Sequence, residues 1–362
     1  MKRFRTLTLV ALSISLLSAK CGGEPINPAV EFDKKKMLTN YGEKIILPSL
    51  TDLQTNVGDL KSAFVQFSGD LSIANLENLQ TAWKSAYIQF QHSQIFNFGP
   101  SMDFGLKGAF GTYPTDTTKI NQNIANGSYY LATASNTDAI GFPALDYLLY
   151  DLSTSNAFAR LMSDNNRLTY VEAVILKMES EINAIVDAWN NGYLSEFKEN
   201  SGTSSTSSLS YLVNEWNKDY ELSKVAKLGI PIGEKSLGIA QPEYLEAPYS
   251  GVSMELLKES MLALEESFKG DYKGEDGIGF EDYIQSFADQ GPTLNSTISS
   301  TFSSIHDEIE TYASTSLKAE IEAENEDLFH LYDLIQSQVV NTKTDMPALF
   351  GIMITYQDND GD

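Results

Sequence analysis

The run Asn165–Trp189, NNRLTYVEAVILKMESEINAIVDAW, decides the fold. Leu168, Val171, Ile175, Met178, Ile182, Ile185 and Trp189 recur every three or four residues for about six turns, the period of a helix that buries one face. The same period appears on both sides of it. Upstream are Leu53, Val57, Leu60, Phe64 and Phe67, then Leu79, Trp83, Tyr87 and Phe90 in a helix spanning 76–96 that stops at Gly99-Pro100. Downstream are Leu212, Trp216 and Tyr220, then Leu256, Leu257, Met261, Leu264 and Phe268 behind Ser253, which reads as an N-cap. Leu294, Ile298, Phe302, Ile305 and Ile309 form the next stripe, and a last helix is expected over 317–340, ending before Pro347. No strand-like alternation of convincing length occurs, so the chain is expected to be all-α.

Between the stripes lie the breaks. Residues 32–67 read as two helical stretches separated around Leu47-Pro48, and 115–131 as one further helix. Residues 97–118, with Phe98, Phe104, Phe110 and Tyr113 among glycines, read as a structured loop of the kind that borders a pocket. Asn200–Ser208 is a low-complexity break. Residues 229–251, rich in Gly and Pro, read as a long ordered connection held down by Ile230, Ile232, Leu237, Tyr244 and Tyr249. The expected organisation is a leader over 1–21, a tether over 22–31, an N-terminal helical bundle over 32–200 and a C-terminal one over 201–362, two bundle halves packed side by side.

A hydrophobic content of 42%, with 18 Tyr and 18 Phe, gives a chain of 362 residues ample material for such cores and excludes disorder. Against 25 basic residues stand 49 acidic ones, a formal charge of −24. Nucleic acid is thereby excluded as an expected partner, since phosphate binding needs basic patches. Lys2, Arg3 and Arg5 precede an apolar run from Leu7 to Leu17, too short to span a bilayer but of secretory-signal length. Cys21, the single cysteine, follows directly. It reads as the lipid-bearing residue of an exported bacterial lipoprotein anchored to the membrane of the cell envelope. Plain secretion with a spare cysteine is the alternative, and Lys20 stands where a small residue is usual. A monomer is expected.

One short helix carries an unusual carboxylate. In Gly141-Phe142-Pro143-Ala144-Leu145-Asp146-Tyr147-Leu148-Leu149, Gly and Pro set the helix start and Leu145, Leu148 and Leu149 share a face. Asp146, in such apolar company, is either a first-turn residue favoured by the helix dipole or a member of a site.

With three further segments in the same order, this helix resembles the imelysin-like proteins (insulin-cleaving membrane protease, iron-regulated protein A). Those segments are Ala82-Trp83 through Phe96-Asn97-Phe98-Gly99-Pro100, Tyr113-Pro114 with Ile120, and the ending Thr355-Tyr356-Gln357-Asp358-Asn359-Asp360-Gly361-Asp362. The resemblance implies an all-helical protein of two bundle-like halves with a site at their junction, located in the envelope, linked to iron uptake and assigned as a metallopeptidase. It also exposes departures. The family's Gly-x-His-x-x-Glu is here Gly141-Phe142-Pro143-Ala144-Leu145-Asp146, and Gln94 and Asn97 align where the family carries an acidic and a basic residue. Proline cannot ligate a metal, and a hydrolytic site needs about three protein ligands. A non-catalytic binding protein is therefore expected, with a mostly neutral cleft of Asp146, Gln94, Asn97, Tyr87, Tyr147 and Pro143. Its partners would be iron-uptake or other envelope proteins. A metallopeptidase with an atypical site is the alternative, and iron or another divalent metal is the cofactor the resemblance points to, with no ligand set assigned.

Other chemistries lack their motifs. His92, His306 and His330 fall in no metal-ligand spacing, and His92 reads as a packing or surface histidine on a different helix face from Gln94. No nucleophile elbow, phosphate loop or dinucleotide fingerprint occurs. Asp358-Asn359-Asp360-Gly361-Asp362 starts like a calcium loop but has Gly at the wrong position and no closing Glu.

Overall fold

The structure, a computed structural model, describes residues 31–151 and 153–356. The leader with Cys21 and the acidic run from Asp358 lie outside the described residues. Within them every extended element is helical, and the sole β-type contact is an isolated bridge between Tyr272 and Glu275. The chain is all-α.

Leu47–Gly69 (α1) and Ile73–Ser93 (α2) form a hairpin, with Ser72 capping α2 by accepting from the Asn75 N–H. The short helix Gly141–Leu149 (α3) packs on α2, and Asn165–Ala188 (α4) packs along α1 and behind α3. The apolar stripe of 165–189 is the buried face of α4: Val171, Ile175, Met178, Ile182 and Ile185 are all buried, as is Trp189 beyond it. The second half is built from Ser208–Leu222 (α5), Ser253–Lys269 (α6), Gly291–Glu310 (α7) and Asp327–Ser337 (α8). Trp216 and Tyr220 of α5 stack at the centre of this half. The Trp216 indole N–H donates to the Leu264 carbonyl at 3.1 Å and the Tyr220 hydroxyl to Ile335 at 2.8 Å. The halves meet where α2 lies on α6.

Several helix boundaries differ from the sequence reading, each for a local reason. Pro48 does not interrupt the helical path. The chain runs from Lys34–Asn40 through a π-helical turn, Tyr41–Ile46, straight into α1. Proline removes the donor to the carbonyl four residues back and crowds it, and a turn closed by i→i+5 bonds accommodates both effects. The device recurs: π-turns at Ser223–Gly229 and Val340–Asp345 precede Pro231 and Pro347 in the same way. In all three the residue before the proline donates its N–H five residues back, to Gly42, Val225 and Asn341. Pro347 thus lies inside a helix, Met346–Phe350, rather than beyond the last one.

Ser253 is the first helical residue of α6, not its cap; Val252 holds that position and no side chain caps this end. The expected last helix is broken at Glu324, whose φ is +54°, into Leu317–Glu322 and α8. Residues 97–118 contain two short helices, Pro100–Asp103 and Leu106–Phe110, and the expected 115–131 helix spans only Thr117–Asn126, stopped by left-handed Gly127. The 229–251 connection is irregular apart from the short turns Ile230–Ile232 and Pro242–Tyr244, but of the residues expected to hold it down Leu237, Tyr244 and Tyr249 are exposed to solvent.

Candidate functional site at the Gly141 helix

Gly141 begins α3 with φ of +80°, and a Cβ there would lie 2.5 Å from the Phe110 carbonyl oxygen. Only glycine fits, for its conformation and for the close approach. Pro143 is the third helical residue, in the first turn where its missing N–H costs no helical bond. Helix α2 then grips α3 at both ends. The Trp83 indole N–H donates to the Phe142 carbonyl at 3.1 Å, and the Gln80 amide to the Leu149 carbonyl at 2.7 Å. Phe142 is enclosed by rings, stacked on Tyr87 at 4.7 Å between centroids with Phe90 and Phe110 beside it.

Asp146 lies past the first turn, so the helix-dipole reading does not apply. Its carboxylate is fully buried and reaches the 229–251 connection: Oδ2 accepts the Tyr249 N–H at 2.9 Å and Oδ1 the Ser250 N–H at 2.8 Å. Both oxygens are thereby committed to a segment 103 and 104 residues away in sequence. Burial pushes the pKa to about 7, the donations from Ser250 and Tyr249 pull it down, and the Glu246 charge adds to the rise. The folded state thus holds a proton that the unfolded chain releases near pH 4. The contribution of this group to stability is greatest at low pH and declines as pH rises through 7.

Of the other expected site residues, Tyr87 and Gln94 reach the Glu246 cluster described below, whereas Tyr147 does not. Tyr147 is on the outer side of the clasp. Its hydroxyl accepts from Asn121 at 2.8 Å, the Arg160 guanidinium lies 5.0 Å from its ring centre, and Tyr249 meets it edge-on at 5.2 Å. Gln94 is buried and donates to the Gln91 side-chain oxygen at 2.7 Å. Asn97 is half-buried after the turn Gln94–Phe96. None of Asp146, Gln94, Asn97, Tyr87, Tyr147 and Pro143 lines the 590 Å³ cavity found elsewhere on the molecule, or three smaller ones.

The junction is not neutral, contrary to the expectation from Pro143, Gln94 and Asn97. Lys227, from the π-turn before Pro231, pairs with Glu246, and both are buried. Gln91 binds the pair together: its oxygen accepts from Lys227 at 2.8 Å and from Ser260 at 2.8 Å, and its amide donates to Glu246 at 3.2 Å. The Tyr87 and Tyr113 hydroxyls are buried beside Glu246 without a well-formed hydrogen bond. Burial first, then the Glu246 charge, lifts both well above the ordinary tyrosine value. The sequence reading missed Gln91, Lys227, Glu246 and Ser260. Lys227 and Glu246 lie 19 residues apart across an irregular segment, which no helical periodicity could link.

His92 is not free. It bridges the halves, 3.2 Å from Glu259 and 3.5 Å from Glu266 of α6. Desolvation disfavours the imidazolium, but the two carboxylates outweigh it and raise the pKa to about 9. The stability from this contact is complete below pH 6.5 and is lost as pH rises through 9. His92→Gln is expected to lose on the order of 2 kcal/mol at pH 6 and far less at pH 10, measured by urea denaturation.

Two helical halves, a Gly141–Asp146 motif at their junction and a clasped connection define the class: the imelysin family (Peptidase M75) matches residues 46–338, and the chain belongs to it. A relative named iron-regulated protein A, from Synechococcus elongatus, is 24% identical over 113 residues. That match spans 31% of this chain and 31% of the relative, about a third of its length. The fold is shared with a solved structure named as an iron-regulated protein A precursor, from Parabacteroides distasonis (TM-score 0.72, 16% identity, 87% of this chain and 95% of that one). It is shared also with an imelysin-like protein from Psychrobacter arcticum (TM-score 0.65, 18% identity, 89% and 97%).

A peptidase of this type implies a catalytic metal, and the residues here do not fit one. Asp146 commits both oxygens to backbone amides, Pro143 offers no donor, and no three His, Cys, Asp or Glu side chains converge on a metal position among the described residues. No described helix is long and apolar enough to cross a membrane.

Proposed function

We propose that this chain is a non-catalytic, ligand-binding member of the imelysin family, exported, held on the cell envelope through lipid on Cys21, and acting in iron uptake. One observation carries the non-catalytic reading. The carboxylate at the motif position is fully buried and serves as a structural clasp, each oxygen accepting a backbone amide, from Tyr249 and from Ser250. The iron link rests on the relative named iron-regulated protein A. The anchor rests on the leader sequence ahead of the single Cys21.

Purified protein is expected to leave unfolded protein substrates intact with added zinc or ferrous iron, and Asp146→Ala to behave alike. Metal-dependent cleavage abolished by Asp146→Ala would establish the metallopeptidase alternative instead. For the anchor, Cys21→Ser is expected to move the protein from the membrane fraction to the soluble one. Retention of the variant on membranes overturns the anchor alone.

A further inference from the structure

A cavity of about 590 Å³, within the range of small-molecule sites, lies away from Asp146, between the Gly99 turn, the kink after α4 and the start of α5. Tyr193 closes over Gly99, whose φ of +51° and lack of a side chain admit the ring; a Cβ there would lie 2.1 Å from it. Phe98 lies parallel to Phe197 and to Tyr211, with centroids 5.7 and 6.0 Å apart, and forms the buried floor. Tyr193 and Tyr211 are half-buried and line the walls.

The polar groups are distributed with one sign. Asp103 and Glu196 are exposed at the mouth, and neither pairs with a cation among the described residues. Tyr193, Tyr211, Glu196 and Asp103 all line the cavity, and the pKa of the Tyr193 hydroxyl is raised by burial first, then by Tyr211, Glu196 and Asp103. Lys218 is the single cation in the lining and is engaged by Glu215. Deeper in, Ser208 is 3% exposed and lines the cavity. Asn214 is saturated by Ser210, Met353 and Thr355 and supports the wall without offering a contact.

We propose that this cavity binds an organic cation with an apolar body, of the arylalkyl-amine class. The aromatic floor takes the body, the Tyr193 and Tyr211 faces attract the positive charge through their quadrupoles, and Asp103 and Glu196 pair with the ammonium at the mouth. Anions are repelled by the same two carboxylates. The assignment deepens the binding reading by naming a ligand class, and it is independent of whether any peptidase activity exists.

Phenethylamine is the probe, titrated into the purified protein and followed by calorimetry, beside phenylacetate and methyl β-glucoside as anionic and neutral controls. Saturable binding of phenethylamine alone is expected, weakening with added salt. Loss of two charge-assisted contacts in Asp103→Asn/Glu196→Gln is expected to weaken it about tenfold or more. Both positions are exposed, so the variant should melt with the wild type; if it does not, the single Glu196→Gln takes its place. The assignment fails if phenethylamine does not bind, if either control binds as tightly, or if the variant binds as well as the wild type. None of these outcomes touches the proteolysis assay, so the ligand class and the non-catalytic reading stand or fall separately.

Discussion

Lys227→Met is expected to destabilise the fold by about 3–5 kcal/mol, the usual cost of removing one member of a buried ion pair. Glu246 is 2% exposed and would be left without its cation, beside the Gln91 amide and the Tyr87 hydroxyl. The Gln91 oxygen would lose the 2.8 Å Lys227 contact and keep that of Ser260. The double variant Lys227→Met/Glu246→Leu should recover much of the loss, because no uncompensated charge remains. Chemical denaturation of the wild type, both single variants and the double variant gives the coupling directly. If the single and double variants are equally unstable, Lys227 acts by packing and the pair adds nothing.

Trp83→Ala is expected to cost a comparable 3–5 kcal/mol or so, about the usual loss for a buried tryptophan. The side chain is completely buried, packs on Tyr150 at 5.0 Å and Tyr87 at 5.5 Å, and its indole holds the Phe142 carbonyl. Trp83→Phe separates the two contributions, keeping most of the packing while removing the indole's donation to the Phe142 carbonyl. It should lose about 1 kcal/mol. Near-wild-type denaturation of Trp83→Ala would contradict the register of α2 against α3.

The helical architecture was legible because burial here follows a period: Leu53 to Phe67, Leu79 to Phe90 and Val171 to Ile185 are buried at the positions the spacing selects. Junction chemistry follows no period. Lys227 carries no signal in any apolar stripe, and the π-turn before Pro231 places it inside, where Glu246 meets it from an irregular segment. Asp146 was legible as unusual, since a carboxylate among leucines demands partners. Those partners were not, because they are backbone amides of Tyr249 and Ser250, and an amide donor carries no side-chain signature. Leu237 shows the converse error. An apolar residue in a Gly- and Pro-rich stretch gives no face to compare against, and it lies in solvent.

The three π-turns that precede prolines have a consequence for insertions and deletions. A turn closed by i→i+5 bonds holds about one residue more than an α-turn. Removing Glu43 or Lys44, the two exposed residues of Tyr41–Ile46, would therefore let ordinary helical bonding resume with the segments on either side still facing nearly the same way. Met37, Leu38 and Tyr41, all buried, would keep the direction shared by Leu50, Leu53 and Val57, and the Tyr41 hydroxyl its Ser267 carbonyl in the other half, 2.6 Å away. Removing one residue from the α-helical run that follows would instead turn everything before it by about 100° against everything after and disturb the interior along a whole helix. The π-turns are thus places where a gap of one residue is absorbed within a buried helix, as it is in the mostly exposed Ser- and Thr-rich segment after Asn200.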